Sequence, residues 1–287
     1  MPTLINLRRR IRSVRNSQQI TQAMKTVSMA KYKKAQRHVL ESRPYWHVFP
    51  DIVARIVALA GAQDHPLIAE RKETKAEVVI VTSDKGLAGA FNANLLAEAQ
   101  AFLRDKAVTA EPGLVLVGKK AVNAFRKTRF RVDRVLSEGT DKLDREEIRE
   151  LAAFLMRAYA LNRTDAVYIV HNEFKSIVAP RVVIDRLLPV SLPPAGDGAP
   201  PPLPDWEPEA DRLLASVLPL YVESRIFHAL GESQAAEQAA RMMAMDNATK
   251  NAEDLITDLV LVLNKIRQAT ITKELLEIMT AVDALAK

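Results

Sequence analysis

The sequence predicts a mixed α/β protein in which a long two-helix coiled coil, built from both chain ends, accompanies a central open α/β domain. Two tracts without helix breakers, and a change of hydrophobic period between them, indicate this class. The tracts run from Thr3 to Arg43 and from Glu232 to Lys287 without Gly or Pro. At 1.5 Å per residue they would form helices of about 60 and 84 Å, so we expect them to pair as an antiparallel coiled coil.

Residues that commonly end helices bound both tracts. Pro2 and Pro44 flank the first tract and Gly231 precedes the second, so the prediction places a helix between these limits. Including the residues beside the tracts, we assign residues 1–58 to the N-terminal coiled-coil helix and residues 209–287 to the C-terminal one.

An apolar seam is visible in both tracts. In the second tract it has heptad spacing, and a displaced stripe continues it towards the C-terminus. In the first tract the polar residues 16–19 interrupt the seam, which predicts a stutter before it resumes on a shifted face. The predicted seam residues are Leu255, Leu259, Val262, Ile266 and Ala269, then Ile271, Leu275, Ile278 and Val282, and in the first tract Leu4, Leu7, Ile11 and Val14, then Ile20, Met24 and Val27.

Residues 75–190 are predicted to form a Rossmann-like open α/β domain with a parallel-rich sheet, because short apolar strands alternate with helical segments. A Pro-rich connector is predicted at residues 191–208, since eight of the fifteen prolines lie in residues 189–208. The predicted strands are 77–82, 114–117, 129–136, 165–171 and 181–188, and helices start near Leu87 and span 145–160.

Composition narrows the possible functions. The chain has no cysteine, which excludes disulfides, thiolate nucleophiles and cysteine zinc sites. It has no run of 18 uninterrupted apolar residues, so we expect any membrane association to be peripheral. The net charge of +6 is uneven, because residues 1–43 hold eleven Lys and Arg against Glu41 alone. This basic arm predicts an acidic partner; a transit peptide is the less favoured interpretation of the same feature.

One turn resembles a phosphate loop in position but not in sequence. Gly86 and Gly89 follow the first predicted strand, where backbone N–H groups at a helix start attract anions. The spacings of a P-loop and of a dinucleotide fingerprint are both absent, which favours a tight strand-to-helix turn. The five histidines have no metal-binding spacing, and no nucleophile motif is present. We therefore expect no catalytic residue, no cofactor and no metal site on this chain.

Five strings of the sequence are specific enough to compare with known families. They are EQAARMMAM at residues 237–245, NKIRQATITKEL at 264–275, IRSVRNSQQITQAM at 11–24, LYVES at 220–224 and SDKGLAGAFN at 83–92. The two on the terminal helix are the most specific, because long strings of this kind do not arise from helix periodicity alone. With these strings the chain resembles, from end to end, the gamma subunit of F-type ATP synthases.

This resemblance implies a rotor subunit in the central stalk. The coiled coil would turn inside a hexamer of alternating alpha and beta subunits and couple rotation of the c ring to ATP synthesis or hydrolysis on beta. The central domain would stand beside epsilon on the c ring. The subunit would be non-catalytic and present once in a proton- or sodium-translocating complex. It would be peripheral on the cytoplasmic face of the bacterial inner membrane, in the F1 sector.

The resemblance also assigns contact residues. Arg267 and Gln268 would engage an acidic loop of one beta subunit, Met24 would lie near the beta lever, and Thr272 would sit among the same shaft contacts. Trp206 and Glu207 would face epsilon and the c ring. Lys25 and Thr26 stand where the family more usually has Glu or Arg and then Met.

Two other function classes remain open from the residues alone. The basic N-terminal helix would suit a nucleic-acid-binding protein, although only Tyr32 interleaves the basic run as a stacking platform. The central domain would suit a nucleotide-dependent enzyme.

Overall fold

The computed structural model of the chain describes residues 4–61, 65–136, 144–176, 181–192 and 210–285. It divides into two compact units, Met1–Ser28 with Met242–Lys287, and Met29–Arg241, which we call the terminal unit and the central unit. The elements are α1 (Leu4–Ala60), β1 (Lys75–Val81), α2 (Phe91–Thr109), β2 (Glu111–Val117), α3 (Lys119–Phe125), β3 (Arg131–Leu136), α4 (Arg145–Ala160), β4 (Ala166–Glu173), β5 (Arg181–Leu188) and α5 (Ala210–Leu285).

Both terminal helices extend beyond the tracts that lack breakers. α1 passes through Pro44 and Pro50 to Ala60, so the prediction that Pro44 ends this helix is wrong. α5 contains Pro219 and Gly231, so the prediction that a helix begins only after Gly231 is also wrong. Local stop signals are therefore overridden in both helices.

Burial in the central unit explains why α1 continues past Pro44. Phe49, Val53, Ile56 and Val57 are all buried in the larger apolar core. An interior proline costs a helix about 3 kcal/mol, whereas burying one large apolar side chain contributes about 1.5–3 kcal/mol. The four buried side chains therefore offset the two prolines of this segment.

The central sheet has the strand order β3-β2-β1-β4-β5. Neighbouring strands are parallel except for β4 and β5, which pair antiparallel. Every residue of β1 and β2 after the first is buried, as expected for parallel strands that are covered on both faces. The predicted α/β class with a parallel-rich sheet is confirmed.

Helices cover both faces of this sheet. Alternate side chains of β1 and β2 enter two different apolar cores, because successive strand residues point to opposite faces. One core also contains residues of α1, α4 and α5, and the other contains residues of α2 and α3.

Trp206 and Glu207, in the predicted connector, lie outside the described residues. α5 is long and apolar enough to cross a membrane by length and composition alone, a test that core helices of soluble proteins also pass. The sequence prediction used the stricter criterion of an uninterrupted apolar run.

Candidate functional site

The terminal unit is a two-helix segment with a continuous heptad seam. On both helices, residues alternately three and four apart are buried or half-buried, which is the spacing of a coiled coil. The seam of α1 consists of Leu4, Leu7, Ile11, Val14, Gln18, Thr21, Lys25 and Ser28, and the seam of α5 consists of Met245, Thr249, Ala252, Ile256, Leu259, Leu263, Ile266 and Thr270.

The predicted stutter in α1 is wrong. Ile20 and Val27, which were expected to resume the seam, are 61% and 59% exposed. The heptad spacing instead continues without a shift through Gln18, Thr21 and Lys25. Sequence reasoning missed these residues because it admitted only apolar side chains to the seam.

The predicted frame in α5 is wrong in part. Leu259 and Ile266 belong to the seam, but Leu255 and Val262 are 39% and 43% exposed. Residues 259–263 are all apolar, so periodicity alone does not tell which face of this turn is covered. Contacts with Leu7 and Ile11 of α1, in a shared buried cluster, select the face of Leu259.

Polar pairs join the helices where the seam lacks apolar residues. The hydroxyl oxygens of Thr21 and Thr249 lie 2.8 Å apart, and Lys25 Nζ lies 2.6 Å from Asp246 Oδ1. Lys250 Nζ also contacts Asp246, at 2.9 Å. Hydrogen bonds from Lys25 and then Lys250 lower the pKa of the Asp246 carboxyl.

The C-terminal part of α5 carries an exposed apolar stripe. Every residue from 271 to 282 is exposed. Among the described residues, α1 begins at Leu4, and its seam neighbour Leu7 clusters with Leu259, which precedes this part of α5. The stripe predicted from the sequence therefore lies on the surface. Its residues are Ile271, Leu275, Ile278 and Val282.

The residues predicted to contact beta fall into two groups. Arg267, Gln268 and Thr272 are all exposed, and the Thr272 hydroxyl donates to the Gln268 carbonyl at 3.0 Å. Met24 is half-buried, beside the Lys25–Asp246 pair. Asp246 and Arg267 are 21 residues apart, or about 32 Å along α5, so the structure does not bring Met24 to the other three.

In the central unit, the Gly-bearing turn after β1 is held by an arginine of α5. Arg241 donates to the carbonyl oxygens of Lys85 and Gly86 at 3.4 Å and to Glu237 Oε1 at 2.7 Å. The side chains of Arg241 and Glu237 are 9% and 8% exposed. The turn thus offers carbonyl oxygens to a cation, which is the opposite of what a phosphate loop requires.

Small side chains of α5 complete this contact. Ala235, Ala236 and Ala239 are buried in one cluster with Ala88 and Phe91. α2 begins at Phe91 and not near Leu87, because Leu87 has a φ of 62°, which no residue of a right-handed helix adopts. The matched string at residues 83–92 is therefore a packing element.

Within the described ranges, no group of three or more His, Cys, Asp and Glu residues could hold a metal ion. The features that stand out are the exposed end of α5 and the polar pairs of the terminal seam. Both concern how this chain meets other surfaces and how its helices stay paired.

Solved structures share the fold. A chain of the Euglena gracilis mitochondrial ATP synthase (OSCP/F1/c-ring, rotational state 3) aligns with a TM-score of 0.66 at 20% identity, covering 98% of this chain and 94% of that one. A chain of the Tetrahymena thermophila mitochondrial ATP synthase central stalk and c ring aligns with a TM-score of 0.57 at 21% identity, covering 80% and 99%. Long terminal helices with an open α/β domain between them thus define a stalk-type fold.

Sequence relatives identify the family. A family model described as ATP synthase matches residues 3–285. The ATP synthase gamma chain of Anaeromyxobacter sp. (strain Fw109-5) is 42% identical over 290 residues, covering 99% of this chain and 100% of the relative. That of Pelotomaculum thermopropionicum is 40% identical over 285 residues, with coverage of 99% and 100%. The chain belongs to the ATP synthase gamma-chain family.

It is accordingly the central-stalk subunit of a membrane-associated ATP synthase, as the resemblance in the sequence predicted. Nothing in these matches favours the nucleic-acid-binding alternative.

Proposed function

We propose that this chain is a non-catalytic rotor, present once per complex, that turns inside a hexamer of alpha and beta subunits. The single observation that carries the proposal is the exposed apolar stripe at the end of α5. An uncovered stripe of this kind on a long helix indicates a protein partner. A sleeve formed by the hexamer would cover it, and rotation would present a different face of α5 to each beta subunit in turn.

The complex would couple proton or sodium flow through the c ring to ATP synthesis or hydrolysis on beta. The other partners would be epsilon and the c ring, which Trp206 and Glu207 would meet. The location would be the cytoplasmic face of the bacterial inner membrane. A rotor acts by stabilising different conformations of its partners, which requires contacts but no catalytic group of its own.

Arg267 and Gln268 would contact an acidic loop of beta, with Thr272 nearby and Met24 at the beta lever. Both Arg267 and Gln268 are exposed, so their donors are available to carboxylates of a partner. Met24 is half-buried, and its neighbour Lys25 pairs with Asp246 of α5. Asp246 lies about 32 Å from Arg267 along α5, so Met24 would meet its partner at a separate place.

The test is the double variant Arg267→Ala with Gln268→Ala in the assembled complex. ATP-driven ion pumping should fall several-fold more than ATP hydrolysis, while the thermal stability of the full chain should stay unchanged. Arg104→Ala, which removes an exposed arginine of α2, is the matched control and should leave coupling intact. If the double variant lost thermal stability to the same extent as ion pumping, the assignment would be contradicted.

Affinity purification from membranes tests the partners. Recovery of the tagged chain with alpha, beta and epsilon subunits is expected. Recovery without alpha and beta would overturn the rotor proposal.

A further inference from the structure

The central unit holds a polar pocket at the amino ends of the parallel strands. The pocket has a volume of about 460 Å³ and lies between β1, β3 and the end of α4. We call it the β1–β3 pocket. The turn held by Arg241 follows the carboxyl end of β1, so the two features lie at opposite edges of the sheet. The lining includes Lys75, Glu77, Arg131, Asp133, Arg157 and Arg163.

A glycine makes room for the charged floor of this pocket. Gly113 of β2 pairs in register with Glu77 on one side and with Arg131 on the other. A Cβ at Gly113 would lie 2.6 Å from Asp133 Oδ2 and 2.8 Å from Glu77 Oε2. The side chains of β1 and β3 therefore meet across β2 only because residue 113 has no side chain.

The floor has one acceptor left over. Arg131 binds Asp133 with two donors, at 2.8 and 2.9 Å, but stands 4.0 Å from Glu77 Oε2. Glu77 is 3% exposed, and its Oε1 has no hydrogen-bond partner among the described residues. A buried acceptor without a partner is destabilising, so a hydrogen-bond donor that enters the pocket would stabilise this oxygen.

Burial, and then the charge of Asp133 and a hydrogen bond to it, raise the pKa of Glu77 to about 8. Burial and the neighbouring Asp133 thus favour the neutral acid form of Glu77. The charged groups around it are Lys75 on β1, Glu111 on β2, Arg131 and Asp133 on β3, Arg157 in the last turn of α4, and Arg163 just after that helix.

Three cations of the pocket remain available to an anion. Lys75, Arg157 and Arg163 are exposed, and none makes an ion pair within the part of the chain that the structure describes. Arg131 is matched by Asp133 at 2.8 Å and faces Glu111 at 3.8 Å, so the three exposed cations give the pocket an excess of positive charge. Guanidinium groups bind phosphate oxygens through paired hydrogen bonds.

We propose that the β1–β3 pocket binds a phosphate group, with Lys75, Arg157 and Arg163 holding its charged oxygens and a protonated phosphate oxygen donating to Glu77. A hydrogen phosphate carries a proton throughout the neutral pH range, whereas a phosphomonoester, whose second pKa is about 6, keeps its proton on a sizeable fraction of molecules only near or below that pH. Sulfate carries the same charge but no proton at this pH, so it would leave Glu77 without a donor.

Isothermal titration calorimetry of the full chain at pH 7 tests the proposal with inorganic phosphate, sulfate, AMP and adenosine. Phosphate should bind at least ten-fold more tightly than sulfate, and Arg157→Ala with Arg163→Ala should abolish this binding. AMP is titrated at about pH 6 as well, where a sizeable fraction of it keeps the phosphate proton. AMP binding there as well as phosphate would identify a phosphomonoester site, and binding of phosphate without AMP would identify a site for the free anion. Equal binding of phosphate and sulfate, no binding of either, or binding of adenosine would overturn the proposal.

Glu77→Gln separates the role of the acid from folding, because the amide keeps a hydrogen bond to Asp133 but does not titrate. The phosphate affinity of the natural chain should fall above pH 8, where ionised Glu77 repels the anion. The affinity of the variant should not fall in this range. An identical pH dependence in the two proteins would contradict the role of Glu77. Arg104→Ala is the matched control for removal of surface charge.

Discussion

Lys25 Nζ lies 2.6 Å from Asp246 Oδ1, and this pair joins α1 to α5 at a seam position where coiled coils ordinarily carry an apolar side chain. The side chains are 29% and 21% exposed, so the pair is partly shielded from water. Lys250, four residues further along α5, contacts the same carboxylate and is 69% exposed. Among the described residues of the seam, the Lys25–Asp246 pair joins the two helices, and the Lys250–Asp246 pair beside it lies within α5.

Lys25→Ala should lower the melting temperature of the full chain more than Lys250→Ala. Both variants remove one cation from Asp246, but only Lys25 links helices that are remote in sequence. Thermal unfolding followed by circular dichroism at low ionic strength measures the difference. Equal effects of the two substitutions would show that the interhelical pair has no special role.

The same pair predicts an acid dependence. Because the pKa of Asp246 is lowered in the folded chain, the contribution of the pair is present above the carboxyl's unfolded value and is lost as the pH falls through the folded value. The difference between Lys25→Ala and the natural chain should therefore disappear in strong acid. A difference that persists there would indicate packing of the lysine stem instead.

Arg241→Ala should destabilise the chain by about 3–5 kcal/mol, since it removes the cation from the buried Glu237 carboxylate. It also removes the donors that hold the Lys85 and Gly86 carbonyls. Urea unfolding of the full chain is the measurement. Arg241→Ala combined with Glu237→Gln should recover part of the loss, and no recovery would mean that the turn contacts carry the whole effect.

Gly113→Ala and Gly231→Ala should change stability in opposite directions. At position 113 a methyl group would enter the contact of Glu77, Asp133 and Arg131, and overpacking of this kind costs about 1–3 kcal/mol. At position 231, inside α5, the added Cβ meets only Val39 at 3.9 Å, so Ala should stabilise the helix by about 0.5–1 kcal/mol. Urea unfolding measures both, and destabilisation by both would contradict the geometry.

Glu77→Gln should remove a loss of stability that the natural chain undergoes as the pH rises from about 4.5 to about 8. The pKa of Glu77 rises from 4.5 to about 8 on folding, so the folded state binds the proton more tightly. The stability from this group is fully present below about 4.5 and is lost as the pH rises through about 8. In urea unfolding, the free energy of unfolding of the variant should therefore rise relative to that of the natural chain between pH 5 and pH 9. A constant difference across this range would exclude a buried neutral Glu77.

The sequence by itself determined the fold class, the strand-helix alternation and the family. The strands are covered on both faces, so their apolar runs are visible without knowledge of a partner. The helix at Arg145–Ala160 was predicted from its amphipathic pattern with its observed bounds. In the structure, a capping box of Asp144 and Glu147 forms its beginning. The strings on α5 identified the gamma-chain family.

Only the tertiary structure decided which helix faces are covered and where the long helices end. α1 passes Pro44 because residues distant in the chain bury Phe49 and Val53. Lys25 belongs to the seam because Asp246, more than two hundred residues away, supplies its counter-charge. Helix propensities differ by less than about 1 kcal/mol among ordinary residues, and interior Gly and Pro cost about 1 and 3 kcal/mol. Burial of one large apolar side chain contributes about 1.5–3 kcal/mol, so several buried side chains outweigh a local signal. The identity of that partner is information that no window of the sequence contains.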